Sequence, residues 1–309
     1  MANIKELLER INSVSSMQQI TKTMKLVSVS KFNKAQQRLF SLRPYQDLLS
    51  MILSKILKSE QGLQNNALLS RWSQTQNSQT DKDNHLIVVI TADKGFCGSF
   101  NNSICKKTLQ HIEQLKKENP NTNFRLLLIG KKAYNFFKKL KYEFITDYID
   151  VMNHLDDQQE INKILNYLVN SYSEGIYNKI VVIYNKFINA GTQVAQIDTY
   201  LPFDINDLQK LHENNNNENK LQQDECIIFE PSQDEIINDF IPFYLRIKFQ
   251  KLLCESYASE QASRMTNMSK ATDNADTLLK SLRIAYNQMR QAAITSEIIE
   301  ISVGSKAVS

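Results

Sequence analysis

Glycine and proline are scarce in this chain, and they are unevenly placed. Seven glycines and five prolines occur among 309 residues. Residues 1–61 contain Pro44 as their sole glycine or proline, and residues 243–303 contain neither. This scarcity excludes frequent turns at the two ends of the chain. It predicts two long helical arms that flank a middle region with turns.

Cysteines and long apolar runs are also scarce. Four cysteines occur without any CxxC spacing, which favours free cytosolic thiols over a disulfide framework. The longest apolar runs, LIVVI and IVVIY, are far shorter than the ~20 residues needed to span a bilayer. Charged residues from Lys5 to Arg10 interrupt any early apolar run, so we expect neither a signal peptide nor a transit peptide.

The motifs of common catalytic sites are missing as well. The four histidines are not at metal-ligand spacing, no carboxylate pair suggests acid–base catalysis, and we expect no catalytic residue, metal or cofactor. The stretch TADKGFCGSFN at 91–101 lies between a strand and a helix, but it lacks both GxGxxG and GxxxxGK[ST]. Gly95 and Gly98 are therefore interpreted as residues of a tight turn. Cys97, which lies near Lys94, is interpreted as an ordinary thiol rather than a nucleophile.

The middle of the chain predicts a mostly parallel α/β sheet with an antiparallel edge. Apolar strand patterns alternate with helical patterns. The predicted strands are 85–92, 124–130, 179–187 and 192–203, and the predicted helices are 102–117, the decapeptide KKAYNFFKKL that follows the second strand, and 157–175.

The C-terminal arm carries the heptad pattern of a left-handed coiled coil. Its two interleaved sets are Ala258, Met265, Thr272, Leu279, Tyr286, Ala293 and Gln261, Met268, Ala275, Leu282, Met289. The N-terminal arm offers a matching apolar stripe with one irregular step. The stripe is Ile4, Leu7, Ile11, Val14, Met17, Ile20, Met24, Val27. We expect the two arms to pack together in antiparallel orientation, with the lysines facing outward.

Positive charge is concentrated in the first arm. Residues 1–43 carry eight Lys or Arg against two acids, whereas the whole chain has a net charge of only +4. Each lysine alone fits a solvated helix face, but the cluster indicates an acidic partner. A nucleic acid is a weaker candidate, because few aromatic residues accompany the lysines.

Four segments closely resemble the gamma subunit of F-type ATP synthases of the bacterial type. They are RINSVSSMQQITKTMKLVSVSK, TADKGFCGSFN, SEQASRMTNMSKATDNA and NQMRQAAITSEIIEISVG, and they occur in the same order as in that family. The resemblance implies a long antiparallel coiled coil of the terminal helices plus a central Rossmann-like α/β domain. It also implies a non-catalytic rotor shaft that couples proton flow through a c-ring to ATP synthesis or hydrolysis on the beta subunits.

The resemblance further implies partners, contacts and a location. The partners would be a hexamer of alpha and beta subunits, the epsilon subunit and the c-ring, with one copy of this chain per complex and no nucleic acid. The chain would lie peripherally at the cytoplasmic face of the bacterial inner membrane, held there only through the complex. The residues that match beta-subunit contacts are Lys22, Met24, Lys25, Lys31, Arg264, Arg290, Gln291, Thr295 and Glu297.

The expected domains follow from these patterns. They are an N-terminal helix at 1–61, a linker at 62–84, the α/β domain at 85–204, an Asn-rich connection at 205–232 and a C-terminal helix at 233–309. The alternative is a nucleotide-binding α/β enzyme with a coiled-coil oligomerisation module. That alternative requires a phosphate-binding loop, which the sequence lacks.

Overall fold

A computed structural model of the chain describes residues 2–58, 84–120, 122–140, 142–153, 157–202, 230 and 233–308. Most of the expected linker at 62–84 and most of the Asn-rich connection at 205–232 lie outside these residues. The chain divides into two compact units. Met1–Ser30 and Arg264–Ser309 form the helical unit, and Lys31–Ser263 form the sheet unit.

The helices and strands follow each other in an α/β order after the first long helix. Their bounds are α1 Ala2–Lys58, β1 Asn84–Ile90, α2 Phe100–Glu118, β2 Asn123–Ile129, α3 Lys131–Phe137, β3 Phe144–Ile145, α4 Gln158–Ser173, β4 Lys179–Asn189, β5 Thr192–Leu201 and α5 Gln233–Val308. Both α1 and α5 contribute residues to each unit.

The sheet has the strand order β3-β2-β1-β4-β5. Strand β1 pairs in parallel with β2 and β4, whereas β4 and β5 are antiparallel. The prediction of a mostly parallel sheet with an antiparallel edge is confirmed. Sequence reasoning missed β3, because this edge strand has only two residues and shows no apolar run.

Two apolar layers cover the two faces of the sheet. On one face, alternate β1 residues such as Leu86 and Val88 pack with α4 and with the parts of α1 and α5 that belong to the sheet unit. On the other face, Ile87 and Val89 pack with α2 and α3. Strands buried on both faces read as continuous apolar runs, which explains LIVVI and IVVIY.

The helical unit is an antiparallel pair formed by the start of α1 and the end of α5. Along α5 the heptad positions are the less exposed ones: Met268, Ala275, Leu279 and Leu282 are all buried. Met289 departs from the pattern with 40% exposure. The heptad prediction for α5 therefore holds through most of this unit.

Candidate functional site

Polar side chains join the two helices of the helical unit. The Gln18 side-chain amide donates to Asp276 Oδ1, and the Thr272 hydroxyl lies 3.0 Å from the Thr21 hydroxyl. Lys25 Nζ donates to Ser269 Oγ at 3.0 Å. The residue numbers in each pair add to 293 or 294, as antiparallel helices in one constant register require.

This register corrects the predicted apolar stripe of α1. Between residues 4 and 28 of α1, an unbroken three–four heptad spacing of half-buried or buried residues runs through Ile4, Leu7, Ile11, Val14, Gln18, Thr21, Lys25 and Ser28, and Ser15 and Met24 beside it are also half-buried. Met17, Ile20 and Val27 are instead 61%, 59% and 51% exposed. The irregular step was wrong, because the stripe was traced through apolar residues where the seam is polar.

Lys25 is the one lysine among the predicted contacts whose placement differs from the expected outward direction. It is half-buried, and its ammonium donates to the Ser269 hydroxyl across the seam. Lys22 and Lys31 are exposed, and Met24 is half-buried. The basic outer face of α1 is therefore smaller than the sequence suggested.

The predicted contact residues on α5 fall into two groups. Arg290, Gln291, Thr295 and Glu297 are all exposed on the last part of the helix. Arg264, in contrast, is buried with 7% exposure. The structure brings the exposed group together on two turns of one helix and places Arg264 some seven turns earlier.

Apolar side chains are also exposed on the helical unit. They are Leu8, Met17, Ile20, Leu26, Val27, Leu278, Ile284, Met289, Ile294, Ile298, Ile299, Ile301 and Val303, each at least 40% exposed. Single exposed apolar residues are ordinary, but this many on one helix pair is typical of a surface that another protein covers. Together with the exposed lysines, they form a mixed apolar and basic surface.

The sheet unit contains the crevice in which doubly wound sheets bind nucleotides. That crevice lies at the carboxyl ends of β1 and β4, where the strand order reverses. Here helix α5 makes hydrogen bonds with strand β4 and with the loop that follows β1. Ser263 Oγ donates to the Cys97 carbonyl at 2.7 Å, and Ser259 Oγ donates to the Asn185 carbonyl at 2.9 Å. At the edge of the sheet where an enzyme of this fold would bind a ligand, this chain instead packs helix α5.

Hydrogen bonds from the start of α3 fix the loop that follows β1. The Thr91 hydroxyl accepts from the Ala133 N–H at 2.9 Å, and Asp93 accepts from the Lys131 N–H at 3.0 Å. Gly130 has φ +100°, and a Cβ there would lie 2.2 Å from the Thr91 carbonyl oxygen. Burial raises the pKa of Asp93 above its ordinary value, since desolvation outweighs the hydrogen bond from Lys131.

Phe96 in the same loop has a φ of +64° and is 67% exposed. A bulky residue in this left-handed region is strained, and such strain often accompanies function. Gly98 also has a positive φ, of +58°, in accord with the predicted tight turn.

Within the residues placed by the structure, no cluster of three or more His, Cys, Asp or Glu could hold a metal ion. A search of the same residues finds no helix with the length and apolar character of a membrane span.

Comparisons with known proteins agree on one family. The family model described as ATP synthase matches residues 3–308. The ATP synthase gamma chain of Amoebophilus asiaticus is 43% identical over 309 residues, covering 100% of both chains. That of Christiangramia forsetii is 38% identical over 311 residues, covering 100% of this chain and 99% of the relative.

Solved structures give the same fold at lower identity. A chain of the Euglena gracilis mitochondrial ATP synthase, in a structure of OSCP, F1 and the c-ring, aligns with a TM-score of 0.60 and 19% identity. The alignment covers 99% of this chain and 95% of that one. The full-length matches to the curated relatives decide the family: this chain belongs to the ATP synthase gamma chains.

Proposed function

We propose that the chain is the central rotor shaft of an F-type ATP synthase. As an ATP synthase gamma chain, it is a subunit of that enzyme and not itself the catalyst. The shaft would couple proton flow through a c-ring to ATP synthesis or hydrolysis on the beta subunits. It would do so by rotating an asymmetric pair of helices inside them.

The observation that carries this proposal is the constant register of the helical unit. Three side-chain bonds join α1 to α5 at one antiparallel register, while apolar and basic side chains remain exposed around the pair. Two helices that bond to each other while their outer apolar side chains stay exposed suit a shaft that turns inside surrounding subunits. A globular core would instead bury those apolar side chains.

Asymmetry is the physical requirement for coupling. A shaft changes the nucleotide affinity of a surrounding subunit only if it contacts the subunit's conformations differently. The two helices of the helical unit expose different side chains. Lys22 is exposed on the basic α1 arm, whereas exposed isoleucines such as Ile298 and Ile301 lie near the end of α5.

We assign the partners from the same function. They are a hexamer of three alpha and three beta subunits, the epsilon subunit and the c-ring, with one shaft per complex. The similar solved structures of the Euglena gracilis mitochondrial ATP synthase are of its rotor and of its OSCP, F1 and c-ring. The chain would lie peripherally at the cytoplasmic face of the bacterial inner membrane through this complex.

Some of the residues that match beta-subunit contacts in the family are exposed, and we propose these as the contacts with beta. On α1 they are Lys22 and Lys31, with Met24 at the border of the seam. On α5 they are Arg290, Gln291, Thr295 and Glu297. Lys25 and Arg264 were in the same set, but we propose that they act within this chain, since one bonds across the seam and the other is buried.

A nucleotide-binding enzyme is the alternative function, and one observation weighs against it. Helix α5 makes hydrogen bonds with β4 and with the loop after β1, beside the crevice where such a sheet would bind its ligand. An enzyme of this class would keep that edge open for phosphate and ribose.

Reconstitution tests the proposal. The chain is co-expressed with the alpha and beta subunits of its own organism, and the complex is purified through a tag on beta. We expect the chain to co-purify and ATP to be hydrolysed by the complex, whereas the isolated chain neither binds ATP tightly nor hydrolyses it. Saturable ATP turnover by the isolated chain, with contaminating beta excluded, would instead favour the enzyme.

A further inference from the structure

We propose that a ladder of polar contacts locks the rotation of α5 against the sheet and so carries torque between them. The polar ladder consists of contacts made by Leu245, Lys248, Glu255, Ser259 and Ser263 of α5 within the sheet unit. This inference rests on the proposed rotor function, because only a rotor has torque to carry. It assigns these residues a positioning role.

The two upper rungs are serine hydroxyls on consecutive turns. Ser259 Oγ donates to the Asn185 carbonyl at 2.9 Å, and Ser263 Oγ donates to the Cys97 carbonyl at 2.7 Å. Asn185 is itself 1% exposed, and its amide donates to the Phe100 carbonyl at 3.1 Å. The serines therefore bond to backbone that is already fixed by the sheet and by the start of α2.

The middle rung is a buried carboxylate. Glu255 is 2% exposed, and its Oε1 lies 3.4 Å from Arg43 Nη2 of α1. Beside it, the buried Tyr184 hydroxyl of β4 donates to Asp198 Oδ2 of β5 at 2.8 Å. Burial and the charges of Asp198 and Glu255 raise the pKa of Tyr184, so the phenol stays protonated as a donor. One cluster thus joins α1, α5 and both strands of the sheet edge.

The two lower rungs contact strand β5. The Tyr200 hydroxyl donates to the Leu245 carbonyl at 2.9 Å, and Lys248 Nζ donates to the Thr199 carbonyl at 3.2 Å. Tyr200 is fully buried. From Leu245 to Ser263 the ladder extends about 27 Å along the helix, at 1.5 Å per residue.

Directionality is the reason that polar contacts matter here. Apolar packing is non-directional, so it holds α5 on the sheet but resists twisting about the helix axis only through side-chain shape. Hydrogen bonds weaken steeply when they are bent, so each rung opposes a rotation of the helix. A buried charge such as that of Glu255 contributes little net stability, but it adds a strong positional constraint.

Single-molecule angular fluctuation tests the ladder. F1 complexes are immobilised through the hexamer, and a bead is attached to Gln110→Cys, an exposed site on α2. Cys226→Ser and Cys254→Ala remove competing thiols, while Cys97 and Cys105 are buried. The variance of the bead angle is recorded in complexes stalled without ATP. A looser joint between sheet and helix gives a larger variance.

The test variant is Glu255→Gln/Ser259→Ala/Ser263→Ala, and the matched control is Ser256→Ala. Ser256 lies on the same stretch of α5, is buried, and its hydroxyl has no hydrogen-bond partner among the described residues. We expect the triple variant to hydrolyse ATP at an unchanged rate while its angular variance rises about twofold, since two of five rungs acting in parallel are lost and a third loses its charge. The control should match the native chain.

Three results would count against the ladder or the rotor separately. An unchanged variance in the triple variant, or an equal rise in Ser256→Ala, overturns the ladder. If the triple variant does not assemble, Ser259→Ala/Ser263→Ala carries the same test with the buried charge intact. A native complex that does not turn the bead when ATP is supplied overturns the rotor function instead.

Discussion

The hydroxyls of Thr21 and Thr272 lie 3.0 Å apart, although 251 positions separate them in the chain. Thr272 Oγ1 also donates to the Met268 carbonyl of its own helix, at 2.8 Å. The pair therefore joins the first and last helices at a polar layer of their seam. Polar residues at seam positions specify register in coiled coils, at some cost in stability. The other pairs, Gln18–Asp276 and Lys25–Ser269, extend this layer in the same register.

A cross-link should report this register directly. Extending the observed register one turn places Val14 opposite Leu279. Val14→Cys with Leu279→Cys should therefore form a disulfide within one chain under mild oxidation, since facing seam positions bring two cysteine side chains together and a disulfide needs Cβ atoms about 4 Å apart. Non-reducing electrophoresis of the assembled complex measures it as a shifted band at the mass of one gamma chain.

The pair Val14→Cys with Ala293→Cys is the control, because it is two heptads out of register. It should remain reduced under the same conditions. A cross-link in the control instead of the test pair, or a cross-link between two copies, would contradict the register.

The register illustrates what the sequence could predict in this region. The arms, their antiparallel pairing and the heptads of α5 followed from the lack of glycine and proline and from apolar spacing. The seam of α1 did not follow, because Gln18 and Lys25 are polar and become seam residues only through Asp276 and Ser269. Nothing local in the sequence distinguishes such a residue from one on a solvated face.

Gly130 should be intolerant of a side chain. It has φ +100°, and an added Cβ would lie 2.2 Å from the backbone oxygen of Thr91, which cannot move without disturbing β1. We expect Gly130→Ala to lower the free energy of unfolding by about 3 kcal/mol or more, since backbone strain and a clash combine. Urea unfolding of the isolated chain, followed by circular dichroism, measures the change.

Gly191→Ala is the matched control for this glycine. The nearest atom to its added Cβ would be Asn189 Oδ1 at 3.6 Å, which is ordinary contact. Its effect should stay within about 0.5 kcal/mol, as for surface changes elsewhere. Equal losses in the two variants would show that the close approach of Gly130 to Thr91 is not what matters.

Neither the constraint on Gly130 nor the hydrogen bonds of α5 at the crevice could be predicted from the sequence. Sequence reasoning placed the turn at Gly95 and Gly98, and Gly98 has the positive φ of such a turn. The constraint on Gly130 could not be predicted, because it comes from Thr91, which follows β1 and is 39 positions earlier in the chain. Ser259 and Ser263 likewise look like ordinary helix residues until their carbonyl partners, 74 and 166 positions away, are known.

Acid should destabilise the sheet unit through His111. Burial and the nearby charge of Lys179 lower the pKa of His111 below its ordinary 6.5. Below pH 6.5, His111 therefore binds a proton more readily in the unfolded chain than in the folded chain. The free energy of unfolding falls as the pH falls from 6.5 toward the lowered pKa. The melting temperature of the native chain should fall between about pH 7 and about pH 5.5.

His111→Leu should show a smaller fall over the same interval, because it removes the titrating group. Lys179→Gln removes the larger of the two lysine charges that lower the pKa of His111, so it should give an intermediate fall. Parallel curves for native and His111→Leu chains, measured by differential scanning fluorimetry, would contradict this account of the pH dependence.

Met24→Lys should impair coupling more than folding. Met24 is half-buried at the border between the seam and the basic face of α1, so a lysine there can extend its ammonium to solvent and keep the helix. In the proposed complex the new charge would face the beta subunit, and the basic cluster of α1 indicates that this partner surface is acidic. A partly desolvated pair could contribute several times the ~0–1 kcal/mol of an exposed one. Because the contact exists at some rotary positions and not at others, it would deepen one state of the cycle.

We therefore expect normal assembly and near-normal ATP hydrolysis in Met24→Lys, with fewer protons pumped per ATP. Membrane vesicles carrying the variant allow both rates to be measured in one preparation. Met24→Leu is the control, since it keeps the size and apolar character of the side chain and should keep the native ratio of pumping to hydrolysis. The same ratio in the lysine variant at full assembly would mean that Met24 does not face an acidic surface of the beta subunit. The proposed contacts of Lys22 and Lys31 would then lose their support, because all three lie on one arm of α1.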